Sequence, residues 1–350
     1  MKCANDVSQL IGNTDLVKIP SLSVLTGCEI FIKCEFQNPG GSIKDRTALQ
    51  MVEDAMEKGE LKPGMTIVEG TAGNTGIGLA VVAKAFGLKA LAVMPNDQSP
   101  EKQRMISLFG AELKTVDPCP FANPEHFYHR ARRIAEQDSN YWWANQFENL
   151  SNFRAHYLHT GPEIWQQMQG NMDILVSVAG TGGTIGGTSR YLKEQHSQLQ
   201  VWAVDPDGSG IFQFLQNGEY KNQGSSITEG IGIMRLVENF RQAEVDYALN
   251  LSDADILTVA KHVQQHDGLL LGSSSALNVA GALFAALHQG PGKRIVTFAC
   301  DLGERSASKL YNPEFLATKQ LEPSFADIQS LVDFYQQHLQ KAVKVDWRGV

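Results

Sequence analysis

The sequence is short of cysteine, of positive charge and of long apolar runs, and each shortage excludes something. Its five cysteines, Cys3, Cys28, Cys34, Cys119 and Cys300, are scattered through 350 residues. No CxxC pair occurs, so neither a zinc site nor a disulfide framework is indicated, and no metal is expected. Lys and Arg number 30 against 38 Asp and Glu, a net charge of −8. A chain of that sign lacks the electrostatic footprint of a phosphate-backbone binder, which excludes nucleic acid as an expected partner. The most apolar stretch, Leu79 to Met94, is interrupted by Lys84 and Lys89 and falls short of the ~20 residues that span a bilayer. The first ten residues, MKCANDVSQL, hold no apolar signal core. The expectation is a soluble cytoplasmic protein without a membrane partner.

What is present suits a large buried core. Hydrophobic residues make up 43% and charged residues 19%, the latter below the usual ~25%. The length suggests about two domains. Strand-like runs alternate with helical ones: MTIVEG (65–70), KALAVMP (89–95), ILVSVAG (174–180), VWAVDP (201–206) and RIVTFAC (294–300). Short β-branched runs separated by helices of ten or more residues indicate βαβ units and parallel sheets covered on both faces. Two such series, roughly 65–115 and 174–300, flank the aromatic, amide-rich stretch YWWANQFENLSNFRAHY (141–157), which reads as the junction of two α/β domains. The segment 324–343 places Ile328, Leu331, Tyr335, Leu339 and Ala342 at helical spacing, with Ser324 and Asp327 available as caps. It reads as an accessory helix that packs on the body or on a partner subunit.

Four turns carry chemistry. In NPGGSIKDR (38–46) the chain breaks at Pro39, Gly40 and Gly41, and Ser42 can cap a helix that has Asp45 three positions on. Lys44 then falls in the first turn, where the helix dipole disfavours a positive charge and eases loss of the proton. Such an amine suits a nucleophile or base, although most first-turn lysines are simply solvated. GTAGNTGIGLA (70–80) is a strand-to-helix turn whose free N–H groups, with Thr71, Asn74 and Thr75, make a site for a carboxylate or phosphate. AGTGGTIGG (179–187) is a second such cup, with hydroxyls from Thr181 and Thr184. It is neither a P-loop nor the dinucleotide fingerprint, since Ile185 stands where the third glycine is needed. Asp205, ending the next strand, keeps a ribose-binding reading open. LLLGSSSALN (269–278) offers three serine hydroxyls to a buried heteroatom, or is an ordinary polar turn.

Taken together, the runs IGNT (11–14), KCEFQNPGGSIKDR (33–46), GTAGNTGIGLA (70–80), NQF (145–147), TGPEIW (160–165), GTGGT (180–184), SSITEGIG (225–232), the serine turn at 272–276 and GERSASKLYNPEF (303–315) are specific. In that order they resemble the cysteine synthase (O-acetylserine sulfhydrylase) and cystathionine β-synthase family of fold type II pyridoxal-phosphate enzymes. The resemblance covers residues 11 to 315. It implies an α/β chain of two three-layer αβα domains with mainly parallel sheets, like the tryptophan synthase β subunit. Residues 45–155 would form the smaller mobile substrate-binding domain. Residues 11–44 with 156–315 would form the larger cofactor-binding domain, and 316–350 a C-terminal extension with one helix.

The resemblance also implies roles. Lys44 would form the internal aldimine with pyridoxal 5′-phosphate and move the Cα proton. Gly180, Thr181, Gly182, Gly183 and Thr184 would hold the 5′-phosphate, Asn74 the ring's 3′-oxygen, and Ser274 would face the pyridine nitrogen. Thr71, Ala72, Asn74, Thr75 and Gln146 would line the substrate carboxylate pocket, with Gly230 near the incoming amino group. A hydroxyl at the ring nitrogen stabilises a pyridinium less than a carboxylate does, which favours expelling a β-substituent. The implied reaction is β-replacement through an aminoacrylate, making L-cysteine from O-acetyl-L-serine and sulfide. A homodimer and a serine acetyltransferase are the implied protein partners.

Three positions depart from the family pattern. Ala72 stands where TSGNTG has serine, removing a hydroxyl and ~1 kcal/mol of net hydrogen bonding from the carboxylate pocket. Ala276 replaces a glycine of the serine turn, and Asp15 replaces the proline after IGNT. The alternatives are a cystathionine β-synthase-like or other serine-derived β-replacement enzyme, a nucleotide-linked dehydrogenase using Asp205, and a non-catalytic binding relative.

Overall fold

The computed structural model describes residues 3–221, 224–321 and 325–349. The strands, in chain order, are β1 (Leu16–Lys18), β2 (Glu29–Cys34), β3 (Thr66–Gly70), β4 (Lys89–Pro95), β5 (Glu112–Val116), β6 (Tyr141–Trp143), β7 (Ile174–Val178), β8 (Gln200–Pro206), β9 (Val245–Leu251), β10 (Arg294–Ala299) and β11 (Val343–Trp347). They form a sheet ordered β1-β2-β10-β7-β8-β9-β11 and a smaller one ordered β5-β4-β3-β6. The smaller sheet is wholly parallel, and the larger is parallel except at its edges, where β1 and β11 run antiparallel to their neighbours.

The near-continuous apolar runs follow from burial on two faces. In β7, Ile174, Val176 and Val178 pack to one side with Ala276, Val279 and Leu283 of the Ser273–Gln289 helix. Leu175 faces the other side with Val201, Val296 and Phe298. The smaller sheet repeats the arrangement, with Ile67, Ala90, Ala92 and Met94 facing one helical layer and Val68, Leu91 and Val93 the other. This is the expected pair of αβα units.

The amide-rich stretch 141–157 divides its work: Tyr141–Trp143 completes the smaller sheet beside β3, and Ser151–Ala155 begins the helical return. The C-terminal region differs from its expected form. Its helix spans Ile328–Gln337, shorter than the periodicity suggested, with Leu331, Val332 and Tyr335 buried. Asp327 caps it by accepting from the Ser330 N–H at 2.8 Å, and Ser324 lies outside the described residues. The chain then forms β11, an added edge strand paired with β9. Alternation of Val343, Val345 and Trp347 with Lys344 and Asp346 makes a half-buried strand, which the helical spacing upstream obscured.

No helix among the described residues is long and apolar enough to cross a membrane.

Candidate active site

The β3, β7 and β10 strands all end at one cavity of about 280 Å³, placed outside strand C-termini as is usual in open α/β sheets. Its walls include Lys44, Thr71 to Thr75, Gln146, Gly180 to Gly182, Thr184, Gly230, Ser274 and Cys300. The turns that the sequence separated by up to 230 positions thus converge. Of the residues to which the resemblance gives cofactor or substrate roles, only Gly183 is missing from the wall. It is the buried first residue of the Gly183–Gln195 helix, directly behind the cup.

Lys44 is the first residue of the Lys44–Glu57 helix, and its N–H donates to the Ser42 Oγ at 3.2 Å. Asp45 does not complete a cap; its carboxylate accepts from the Gly40 N–H instead. Burial pushes the Asp45 carboxyl up to about 7, and one of its oxygens has no partner. Burial also holds the Lys44 amine below its ordinary range, with Cys300 and Asp301 opposing the shift and Lys102 reinforcing it. A neutral amine is the form that attacks a carbonyl carbon or takes a proton.

The 180–184 cup is built for close approach. Gly182 has φ +86 and precedes the helix, so its conformation favours glycine. A Cβ on Gly180 would collide with the Gly230 carbonyl oxygen, and one on Gly183 with the Asn152 amide. Thr181 Oγ1 accepts from Asn152 Nδ2 at 2.8 Å, and Thr184 Oγ1 lies 3.3 Å from His156 Nε2. Burial holds His156 well below its usual pKa, so it is an uncharged partner. The cup therefore offers backbone N–H groups at a helix start and two hydroxyls, a donor set that fits a phosphate dianion.

The 71–75 turn is the second strand-to-helix turn on the cavity wall. Gly73 has φ +138 and a Cβ there would lie 2.6 Å from Lys102 Cδ. Thr75 donates to Gln146 Oε1 at 2.7 Å, and Gln146 Nε2 donates to the Gly70 carbonyl at 2.9 Å. Asn74 is clamped, donating to Asp301 at 2.7 Å and accepting from Arg305 at 2.8 Å. Ala72 lines the cavity where a hydroxyl was expected from the family pattern. Gly230 has φ +75 with open space around it, so backbone conformation alone calls for glycine there.

The serine turn starts the Ser273–Gln289 helix. Ser273 accepts from the Glu229 N–H at 3.4 Å, and Ser275 donates to the Asp301 carbonyl at 2.8 Å. Ser274 alone of the three lines the cavity. Opposite the predicted ribose role, Asp205 accepts from the Phe212 N–H at 2.9 Å and is absent from the cavity wall. Its carboxyl is pushed up to about 7 by burial. It secures a helix start, which removes the reason for a nucleotide reading.

Sequence reasoning missed Asn152, Cys300, Asp301, Arg305, Lys102 and Glu229. Cys300, Asp301, Arg305 and Glu229 lie in or beside runs already singled out, so proximity to the motifs was their available signal, whereas Lys102 lies outside those runs. Asn152 carried none beyond its amide-rich surroundings.

A family profile described as pyridoxal-phosphate dependent enzyme matches residues 7–301. Cysteine synthase 2 of Schizosaccharomyces pombe is 43% identical over 354 residues, covering 95% of this chain and 89% of that protein. Cysteine synthase 1 of Neurospora crassa is 46% identical over 323 residues, covering 91% and 86%. Among solved structures, an O-acetylserine dependent cystathionine beta-synthase from Helicobacter pylori has a TM-score of 0.81 at 32% identity, covering 88% of this chain and 99% of that one.

Proposed function

The chain belongs to the pyridoxal-phosphate dependent enzyme family, in its cysteine synthase branch, and from that premise we propose that Lys44 holds the cofactor and moves the substrate's Cα proton. The protein is a pyridoxal-phosphate-dependent enzyme of cysteine synthesis. In the reading we propose, O-acetyl-L-serine exchanges its acetate for sulfide at Cβ. The observation that carries it is the convergence of Lys44, the 180–184 cup and Ser274 on one cavity.

The cofactor, when bound, supplies an electron sink through which an amino acid's Cα–H bond breaks and its β-substituent leaves. The 180–184 turn takes the phosphate end through N–H groups and the Thr181 and Thr184 hydroxyls. Asn74 offers its side-chain amide to the ring oxygen, already oriented by Asp301 and Arg305. Ser274 offers the ring nitrogen a neutral hydroxyl, which favours loss of the β-substituent over prolonged carbanion stabilisation.

Thr71, Ala72, Asn74, Thr75 and Gln146 receive the substrate carboxylate at the start of the Asn74–Ala85 helix, and Gly230 borders its amino group. Lys44, whose amine burial holds below its ordinary range, would take the Cα proton and return it. Phe127 and Phe147 also line the cavity.

Residues 45–155 act in this reading as the mobile unit, closing on 11–44 and 156–315, with 316–350 as the C-terminal extension. A homodimer, a serine acetyltransferase partner and a cytoplasmic location go with the family resemblance.

The test is product analysis with the purified holoenzyme. O-acetyl-L-serine and sulfide should give L-cysteine and acetate at a rate well above cystathionine formation from homocysteine. Faster cystathionine formation would replace sulfide as the nucleophile, and no product from either would remove the reading.

A further inference from the structure

The cavity wall among the described residues carries two lysines and one carboxylate: Lys44, Lys102 and Glu229. Lys44 is held toward its neutral form by burial. Lys102 and Glu229 are bound to each other, Nζ to Oε2 at 2.6 Å, with side-chain exposures of 3% and 6%. Glu229 Oε2 also accepts from Ser99 Oγ at 2.9 Å, and Oε1 accepts from the Ser99 N–H at 2.9 Å and from Lys309 Nζ at 2.7 Å. Burial opposes ionisation of Glu229, yet the two ammonium groups hold its carboxyl below the ordinary range. The Lys102 stem lies against Gly73, so the ammonium is pinned beside the 71–75 turn. Glu229 in turn sits next to Gly230.

We propose that Glu229 determines which class of activated serine the cavity accepts, neutralising Lys102 so that an uncharged acyl ester is taken and a phosphoryl ester is refused. A phosphoryl group brought into this space needs a cation to offset its lost hydration. On the wall the Lys102 ammonium is already engaged by the buried Glu229 carboxylate, whose other oxygen is held by Lys309. Any phosphoryl oxygen reaching for Lys102 meets that carboxylate as a like charge, a repulsive element of the kind that sets specificity. An acetyl ester makes no such demand. The inference rests on the cysteine synthase reading and names the donor class for the same site.

The test compares kcat/KM for O-acetyl-L-serine and O-phospho-L-serine, with sulfide, in the holoenzyme at fixed pH and salt. The native chain should prefer the acetyl donor, and Glu229→Gln should move the ratio toward the phosphoryl donor by at least about tenfold. Adding Lys102→Met to Glu229→Gln should return the ratio to within about threefold of native, because the ammonium freed on the cavity wall is then gone. A merely structural role for Glu229 would lower both activities together, and the second substitution would restore nothing.

A ratio unmoved in Glu229→Gln, with the native chain active on O-acetyl-L-serine, overturns this inference and leaves the functional reading standing. A native chain that uses neither donor removes both. Should the Glu229→Gln chain fail to fold, competition in the native holoenzyme decides. O-phospho-L-serine at equal concentration should leave O-acetyl-L-serine turnover nearly unchanged, and strong inhibition overturns the proposal.

Discussion

Asn152 donates from one side-chain nitrogen to Thr181 Oγ1 at 2.8 Å and to the Gln146 carbonyl at 2.8 Å, while its oxygen accepts from Thr47 at 2.8 Å. A single buried amide therefore ties the 180–184 turn to the segment that bears Gln146 and to the Lys44–Glu57 helix. The 70–75 and 180–184 turns, contributed by different sheets, are thereby linked, since Gln146 also bonds Thr75. Asn239 reinforces the arrangement by donating to the Gln146 and Phe147 carbonyls.

Replacing Asn152 by Ala leaves the Gln146 carbonyl with one donor fewer and the Thr181 and Thr47 hydroxyls without this partner. The loss should weaken cofactor binding by about 1–3 kcal/mol, or roughly five- to 150-fold in affinity. Equilibrium dialysis against pyridoxal phosphate checks this. Unchanged affinity in a folded variant would show that the cup does not depend on Asn152.

Gly180→Ala tests the close approach at the cup. Its added methyl meets the Gly230 carbonyl oxygen, a backbone atom that cannot rotate away. Cofactor retention should fall and the loop around Gly230 should shift, so kcat/KM should drop by at least about tenfold. Gly268→Ala is a contrast: its φ is +71 with no atom within 4 Å, so backbone strain alone should reduce stability and activity should persist.

Stability should decline as pH rises through the neutral range. Burial pushes the Glu69 carboxyl up to about 8 and Asp45 and Asp205 up to about 7. Each binds a proton more tightly folded than unfolded, so its contribution is fully present below the unfolded pKa near ~4 and lost as pH rises through the folded value. Glu69→Gln removes one such group while keeping its shape. The melting temperature of the variant should fall less steeply between pH 6 and pH 9 than that of the native chain, on the order of one pKa group's share of the slope. Parallel curves for the two would show that Glu69 does not titrate in this way.

Ending the chain after Lys341 deletes β11 and bares the β9 edge. The loss of Val345 and Trp347 from their packing against the larger sheet should cost about 2–5 kcal/mol and expose an edge prone to association. Thermal denaturation and light scattering of the shortened chain check both effects. An unaltered melting temperature would assign β11 no structural weight.

The five strands read from the sequence are those with unbroken apolar runs, buried on both faces, such as β4 with six buried residues of seven. Those overlooked are short or mixed: β5 has no buried residue, and β1 and β6 have three residues each. β11 alternates between half-buried and exposed positions at the end of a region dominated by helical spacing. The site was legible where backbone geometry demands glycine, at the 70–75 and 180–184 turns, and where Lys44 follows a chain break. It was not legible where side chains from distant segments complete one another. Glu229 meets Lys102 across 127 positions and Asn74 meets Arg305 across 231, and nothing local in the sequence marks either pair.

The most direct measurement concerns the amine at position 44. The holoenzyme is reduced with borohydride, digested, and its peptides analysed by mass spectrometry. The account predicts a phosphopyridoxyl group on the peptide containing Lys44, and its disappearance in Lys44→Ala with the fold retained. Label on Lys102 or another lysine, or undiminished sulfide-dependent cysteine formation by Lys44→Ala, would contradict it.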